Sequence, residues 1–154
     1  HYNGTAWSII SSPASYTLWE VWGAAANDVW AVGIDYGPDE ETLGKILHYN
    51  GSSWSTVANP ATTYLMGVHG AAANDVWAVG ANEAGDDTII HYNGTSWNAF
   101  AHPATNGLWG VWSATVNDVW AVGEDGVIVH YNGTAWSIIS SPASYTLFGL
   151  TGIN

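Results

Sequence analysis

Cysteine is absent and cations nearly so: Lys+Arg is 1 (Lys45) against Asp+Glu 13, a formal net charge of -12. Without cysteine there are neither disulfides nor thiolate metal sites. A chain with one basic side chain cannot neutralise phosphates, so nucleic acid and anionic membrane surfaces are poor partners, while cationic partners and divalent ions remain open. No apolar run approaches the roughly 18 residues of a membrane span, and no signal peptide is readable. Sustained helical periodicity is missing throughout. Methionine (1) and phenylalanine (2) are scarce, so the large apolar side chains are mainly the 11 Trp and 8 Tyr.

What the chain has is repetition. HYNGTAWSIISSPASYTL occurs at His1–Leu18 and again, unchanged, at His130–Leu147, with diverged versions starting at His48 and His91. A period of about 40–45 residues points to propeller blades or solenoid turns. The spacing of the anchors is constant. A Trp follows six residues after each His (Trp7, Trp54, Trp97, Trp136), and eleven residues later a Leu opens an inner segment (Leu18, Leu65, Leu108, Leu147). Ten residues after the first three of these comes Asp-Val-Trp-Ala-Val-Gly, at Asp28, Asp75 and Asp118.

One segment varies. From the Gly that ends DVWAVG to the next His there are 14 residues (Ile34–Leu47), then 10 (Ala81–Ile90), then 6 (Glu124–Val129). Each step removes two residues per arm of a hairpin, and an even change keeps every side chain on its face. DVWAV and ILHY, IIHY or VIVHY are β-branched and aromatic, as strands are. Tyr-Asn-Gly-Thr/Ser is read as a type I′ hairpin turn, and Pro13, Pro60, Pro103 and Pro142 exclude a helix between outer and inner strands. Each repeat is therefore expected to be a four-stranded antiparallel meander. Strands apolar on both faces need packing on both sides, which blades around an axis provide. The expected architecture is an all-β propeller, incomplete in one chain at about three and a half blades: a partial blade at 1–17, blades at 18–60, 61–103 and 104–142, and a partial blade at 143–154. Propellers close with roughly four to eight blades, so the chain is read as part of a larger propeller or as a unit that assembles by strand exchange, favoured by identical end segments.

The motif NDVWAVG…ILHYNGTxW…LWGVWGA resembles bacterial β-propeller repeats of the type DVWAVG–GTILHYDGTxW, found in secreted and surface proteins. It lacks the Gly-His…Trp-Asp pair of WD40 blades, the double glycine of kelch repeats and the Ser-x-Asp-x-Gly-x-x-Trp box of sialidase-like propellers. The resemblance implies the fold and an extracellular or cell-surface location, and carries over no catalytic residue.

No Gly-x-Ser-x-Gly, phosphate loop or cysteine nucleophile is present, and identical groups repeated around a ring suit multivalent binding better than chemistry. The expected function is a non-enzymatic, lectin-like module for glycans. The alternative is a structural repeat that self-assembles into an array, stalk or filament. Candidate ligand platforms are Trp7, Trp54, Trp97 and Trp136 on the outermost strand, where a flat indole suits the apolar face of a pyranose. The inner-strand pairs Trp19/Trp22 and Trp109/Trp112 are also candidates. They become Met66/His69 in the middle repeat and Phe148/Thr151 in the last, a drift that argues against tight core and for a channel lining.

The strand histidines (His1, His48, His91, His130) stand one blade apart and are read as structural hydrogen-bonding groups. Acidic residues of the variable hairpin, Asp35, Asp39, Glu40, Asp86 and Asp87, form a Ca²⁺ candidate through oxygen ligation, set against a solvated turn. No other cofactor is expected. Asn-Asp before Val-Trp is read as an Asx turn, and the Asn-Gly-Thr/Ser triplets at Asn3, Asn50, Asn93 and Asn132 also satisfy the glycosylation pattern.

Overall fold

A computed structural model describes residues 1–2, 4–36, 42–82 and 84–152, and the side chains among them except those of 36, 42 and 43. Twelve strands form three four-stranded sheets, each an antiparallel meander in chain order. Blade 1 comprises β1 (Thr17–Ala25), β2 (Asp28–Tyr36), β3 (Thr42–Tyr49) and β4 (Trp54–Val57). Blade 2 comprises β5 (Gly67–Ala72), β6 (Asp75–Ala81), β7 (Asp87–Tyr92) and β8 (Trp97–Ala99). Blade 3 comprises β9 (Leu108–Thr115), β10 (Asp118–Gly123), β11 (Ile128–Tyr131) and β12 (Trp136–Ile138). The inner strands β1, β5 and β9 pack side by side. This is the expected incomplete propeller.

The hairpin between the second and third strands shortens evenly, as the sequence spacing requires. The ladder starts at the base pair Val29↔Tyr49, Val76↔Tyr92 or Val119↔Tyr131. It runs out to Tyr36↔Thr42 in blade 1, Ala81↔Asp87 in blade 2 and Val122↔Ile128 in blade 3. Two residues leave each arm per step, so Trp30, Trp77 and Trp120 keep one register opposite His48, His91 and His130.

The outer hairpins turn differently from expectation. A type I′ turn needs positive φ at both central residues, whereas only the glycines take it here: Gly51, Gly94 and Gly133 have φ of 92°, 89° and 89°. The asparagine side chain supplies the rest. Asn50 Oδ1 accepts the N–H groups of Ser52 and Ser53 at 3.0 and 3.1 Å, and Asn93 and Asn132 repeat the pattern. This Asx capping removes the need for a left-handed Asn. A Cβ on Gly51 would also lie 2.7 Å from the Cβ of Asn27, so the position excludes side chains twice over.

The core lies between blades. Alternation along each strand sends one set of side chains forward and the other back. Trp30, Val32 and Ile46 of blade 1 meet Leu65, Val68, Val76, Ala78, Ile90 and Trp97 of blade 2. Trp77, Val79 and Ile89 of blade 2 meet Leu108, Val111, Val119, Ala121, Val129 and Trp136 of blade 3 in the same way. β6 is buried at every residue because it has a blade on each side, and β1 is exposed along almost its whole length.

Equivalent tryptophans should therefore differ in worth. Truncating a buried Trp costs about 3–5 kcal/mol. We expect Trp77→Ala to fall in that range and Trp120→Ala, at a half-buried site, to cost less, both read from urea unfolding midpoints. Equal losses would contradict the assignment of the core to the blade interfaces.

Candidate functional site

Each blade carries an Asp–His–Trp bracket. The carboxylate of the DVWAV aspartate binds the histidine on the adjacent strand: His48 Nε2 lies 2.7 Å from Asp28, His91 2.6 Å from Asp75 and His130 2.8 Å from Asp118. The imidazole in turn stacks on the tryptophan, with ring centroids 4.2, 4.1 and 4.1 Å apart. The aspartates thus hold histidines, a partnership that the Asx-turn reading of Asn-Asp did not include. Brackets repeated one per blade are structural. They point the indole at the next blade.

The outer tryptophans separate by context. Trp97 and Trp136, read from sequence as ligand platforms, are only 5% and 6% exposed, locked edge-on against Trp30 and Trp77 at 5.4 and 5.5 Å. Their faces are used up in packing, which corrects that expectation. Trp54 is half-buried and Trp7 is exposed. Trp22, His69 and Trp112 lie between inner strands. Trp22 and His69 are 5.8 Å apart, His69 Nδ1 accepts the Ser113 N–H at 3.1 Å, and Trp112 lies under Gly152. Burial also holds the His69 imidazole below its ordinary pKa.

The drifting position before the inner-strand Gly or Glu behaves otherwise. The β1–β2 register slips between Leu18 and Glu20, leaving Trp19 as the extra residue, and β9 slips against β10 at Trp109. A bulge re-aims a side chain. Here it turns Trp19 and Trp109, with Met66 and Phe148, into one open cleft of about 310 Å³ along the inner strands. Trp109 is fixed there by its indole N–H donating to Glu124 at 3.3 Å and by an edge-to-face contact with Phe148 at 5.4 Å.

Glu20 lines the same cleft, and its carboxylate accepts the Val68 N–H at 2.7 Å. Partial burial raises its pKa above the ordinary carboxylate value, against the lowering effect of that hydrogen bond. The signal for Glu20 was present in the repeats. LWEVW carries Glu where LMGVH, LWGVW and LFGLT carry Gly. The glycines are steric: a Cβ on Gly67 would meet Trp109 O at 3.0 Å, and one on Gly110 would meet Gly149 Cα at 2.9 Å. Blade 1 departs from the repeat there and gains an anionic acceptor at the cleft.

The acidic hairpins do not assemble a cation site among the described residues. Asp39 and Glu40 lie outside the described residues. Asp35 pairs with Lys45 at 3.5 Å, and Asp86 accepts the Asn82 side-chain amide at 2.9 Å. Asp87 is the unusual one. Both its carboxylate oxygens are shut from solvent and lack a hydrogen-bond partner among the described residues. Burial first, then the charges of Glu124 and Asp86, raise its pKa to about 6.

No family model and no curated protein matches the chain. Solved structures do. The chain is similar to YCF48 bound to a D1 peptide, at 16% identity and a TM-score of 0.66, covering 88% of this chain and 43% of that one. It is also similar to an ancestral GH74 enzyme, at 17% identity and a TM-score of 0.63, covering 86% of this chain and 20% of that one. The chain spans less than half the length of either. Both are β-propeller proteins, and at these identities the likeness establishes the fold.

The Asp87 carboxyl gives a pH signature. A folded-state pKa above the unfolded 3.8 favours the protonated native form, so its contribution is complete below pH 3.8 and is lost as pH rises through about 6. Because the residue as a whole is only half-buried, the solvent-screened penalty of the charged form at neutral pH is about 1 kcal/mol. Asp87→Asn should therefore stabilise the fold by that amount at pH 7.5 and leave it unchanged at pH 3.5, as read by thermal melts at the two pH values.

Proposed function

We propose that this chain is a non-enzymatic β-propeller binding module, lectin-like, that takes carbohydrate in the inner-strand cleft and works at the cell surface or outside the cell. The observation that supports this reading is the convergence of Trp19, Met66, Trp109 and Phe148 with Glu20 in one cleft. Indole faces suit the C–H face of a pyranose, and a carboxylate held against a backbone amide accepts sugar hydroxyls. Few polar groups set among aromatic walls are the usual composition of a small-ligand site. Trp109 is the favoured platform because Glu124 and Phe148 hold its plane before any ligand arrives, which lowers the ordering cost of binding.

The second reading, a self-assembling structural repeat, is supported by the apolar outer face of blade 1, where Val21 is 61% exposed.

A glycan array, followed by titration of intrinsic tryptophan fluorescence with any sugar that scores, tests the first reading. Trp109→Ala is expected to weaken binding at least tenfold, on the order of 1–2 kcal/mol, with an unchanged melting temperature. Glu20→Gln should weaken it less and abolish the loss of affinity seen as pH falls through the Glu20 titration, because protonation removes an acceptor. An array blank for the wild type, or affinity indifferent to Trp109, would refute the carbohydrate reading.

A further inference from the structure

The inner-strand cleft holds a negative charge that no side chain among the described residues balances. Glu20 stands in β1 where the other repeats carry Gly, and one of its carboxylate oxygens accepts the Val68 N–H at 2.7 Å. Among the described residues the other oxygen takes no hydrogen bond, and no cationic group pairs with the carboxylate. Lys45, the single Lys or Arg of the chain, is committed to Asp35 at 3.5 Å on the β2–β3 hairpin. His48, His91 and His130 are committed to Asp28, Asp75 and Asp118.

The walls around this carboxylate suit a cation. Trp19, Met66, Trp109 and Phe148 line the same cleft of about 310 Å³, at the small end of ligand sites. An aromatic ring presents a negative face, tryptophan most strongly, and attracts an ammonium group placed over it. Glu124 strengthens this at Trp109. Its carboxylate accepts the indole N–H at 3.3 Å, and a ring that donates to an anion is polarised toward a more negative face. Burial raises the Glu20 pKa, so its ionised form is under-compensated in the empty cleft, and a bound cation would supply the missing partner. The net charge of -12 favours the approach of a cation and opposes that of an acidic sugar.

We propose that the ligand of the inner-strand cleft is a cationic sugar, a hexosamine with a free amine, whose ammonium group sits between the Glu20 carboxylate and the indoles of Trp19 and Trp109. A neutral sugar gains only the contact of its C–H face with the rings. An amino sugar gains the same contact together with the attraction of one carboxylate and two indole faces. The proposal rests on the carbohydrate reading of the cleft and narrows it to one charge class.

The test is a titration of intrinsic tryptophan fluorescence with the methyl β-glycosides of glucosamine, N-acetylglucosamine and glucose, just below neutral pH, where the free amine carries its proton. The glucosaminide should bind about fivefold tighter than either neutral glycoside at low ionic strength. Molar salt should shrink that preference, because it screens exposed charges. Glu20→Gln, which keeps an acceptor for the Val68 N–H, should lose the preference. Asp86→Asn, which removes the same charge outside the cleft, should keep it. A glucosaminide that fails to bind, or neutral glycosides that bind as tightly, overturns the proposal, while the carbohydrate reading still stands or falls with the glycan array. A preference that survives Glu20→Gln, or that falls as far in Asp86→Asn, also overturns it, since the selection would then come from overall charge.

Discussion

The contact on which the architecture depends is an indole crossing from one blade to the next. Trp30 and Trp77 each project from the second strand of their blade and receive a tryptophan edge-on and a tilted tyrosine from the outer strands of the following blade. Such pairs add to the burial of some of the largest side chains available. A blade with apolar residues on both faces cannot bury them alone, so stability resides in nearest-neighbour interfaces, as in other repeat arrays. With three blades there are two such interfaces, one fully enclosed blade and two half-covered ones. Blade 2 is the enclosed one, and β6 is its buried centre.

The Asp–His pair serves this contact. An imidazole stacked on the indole and held through Nε2 by a carboxylate fixes the ring plane from behind, leaving the opposite edge for the neighbouring blade. Hydrogen bonds that involve an ionised partner are the stronger kind. Blade 3 differs. Asp118 holds His130 as before but also takes the indole N–H of Trp120, whereas the indole nitrogens of Trp30 and Trp77 have no hydrogen-bond partner. The half-buried tryptophan of blade 3 is tied to its own strand instead.

The sequence legibly encodes what depends on periodicity. Even steps of four residues in the variable hairpin predicted its ladder, because register has period 2. Turn chemistry was half legible. Glycine was required, but the asparagine acts through its side chain, so the loop is Asx-capped rather than type I′. Burial of the outer tryptophans was not legible from local sequence. Trp7 and Trp136 sit in identical 18-residue stretches, and the difference between them is set by what lies alongside. No pattern within the repeat can express that. The strand histidines were legible as structural groups, but their partner was not, since the partner is on the neighbouring strand and at least 12 residues away.

Where the repeat is kept and where it is broken separates scaffold from site. The bracket recurs unaltered because each indole must meet the same neighbour at the same angle. The inner-strand glycines at 67 and 110 recur because adjacent backbones approach too closely for a Cβ. The bulged position one residue earlier is free of both constraints. It points into an open cleft and drifts from Trp to Met to Trp to Phe. Glu20 marks the one place where blade 1 gives up the close approach, and its carboxylate instead holds a backbone amide of the next inner strand. A cleft walled by unlike aromatic side chains with one acidic acceptor is asymmetric although its frame is nearly symmetric. Asymmetry is what recognition of a single ligand orientation requires, and among the described residues it is concentrated in that cleft. A pseudo-symmetric scaffold therefore presents one distinct inner-strand cleft among the described residues.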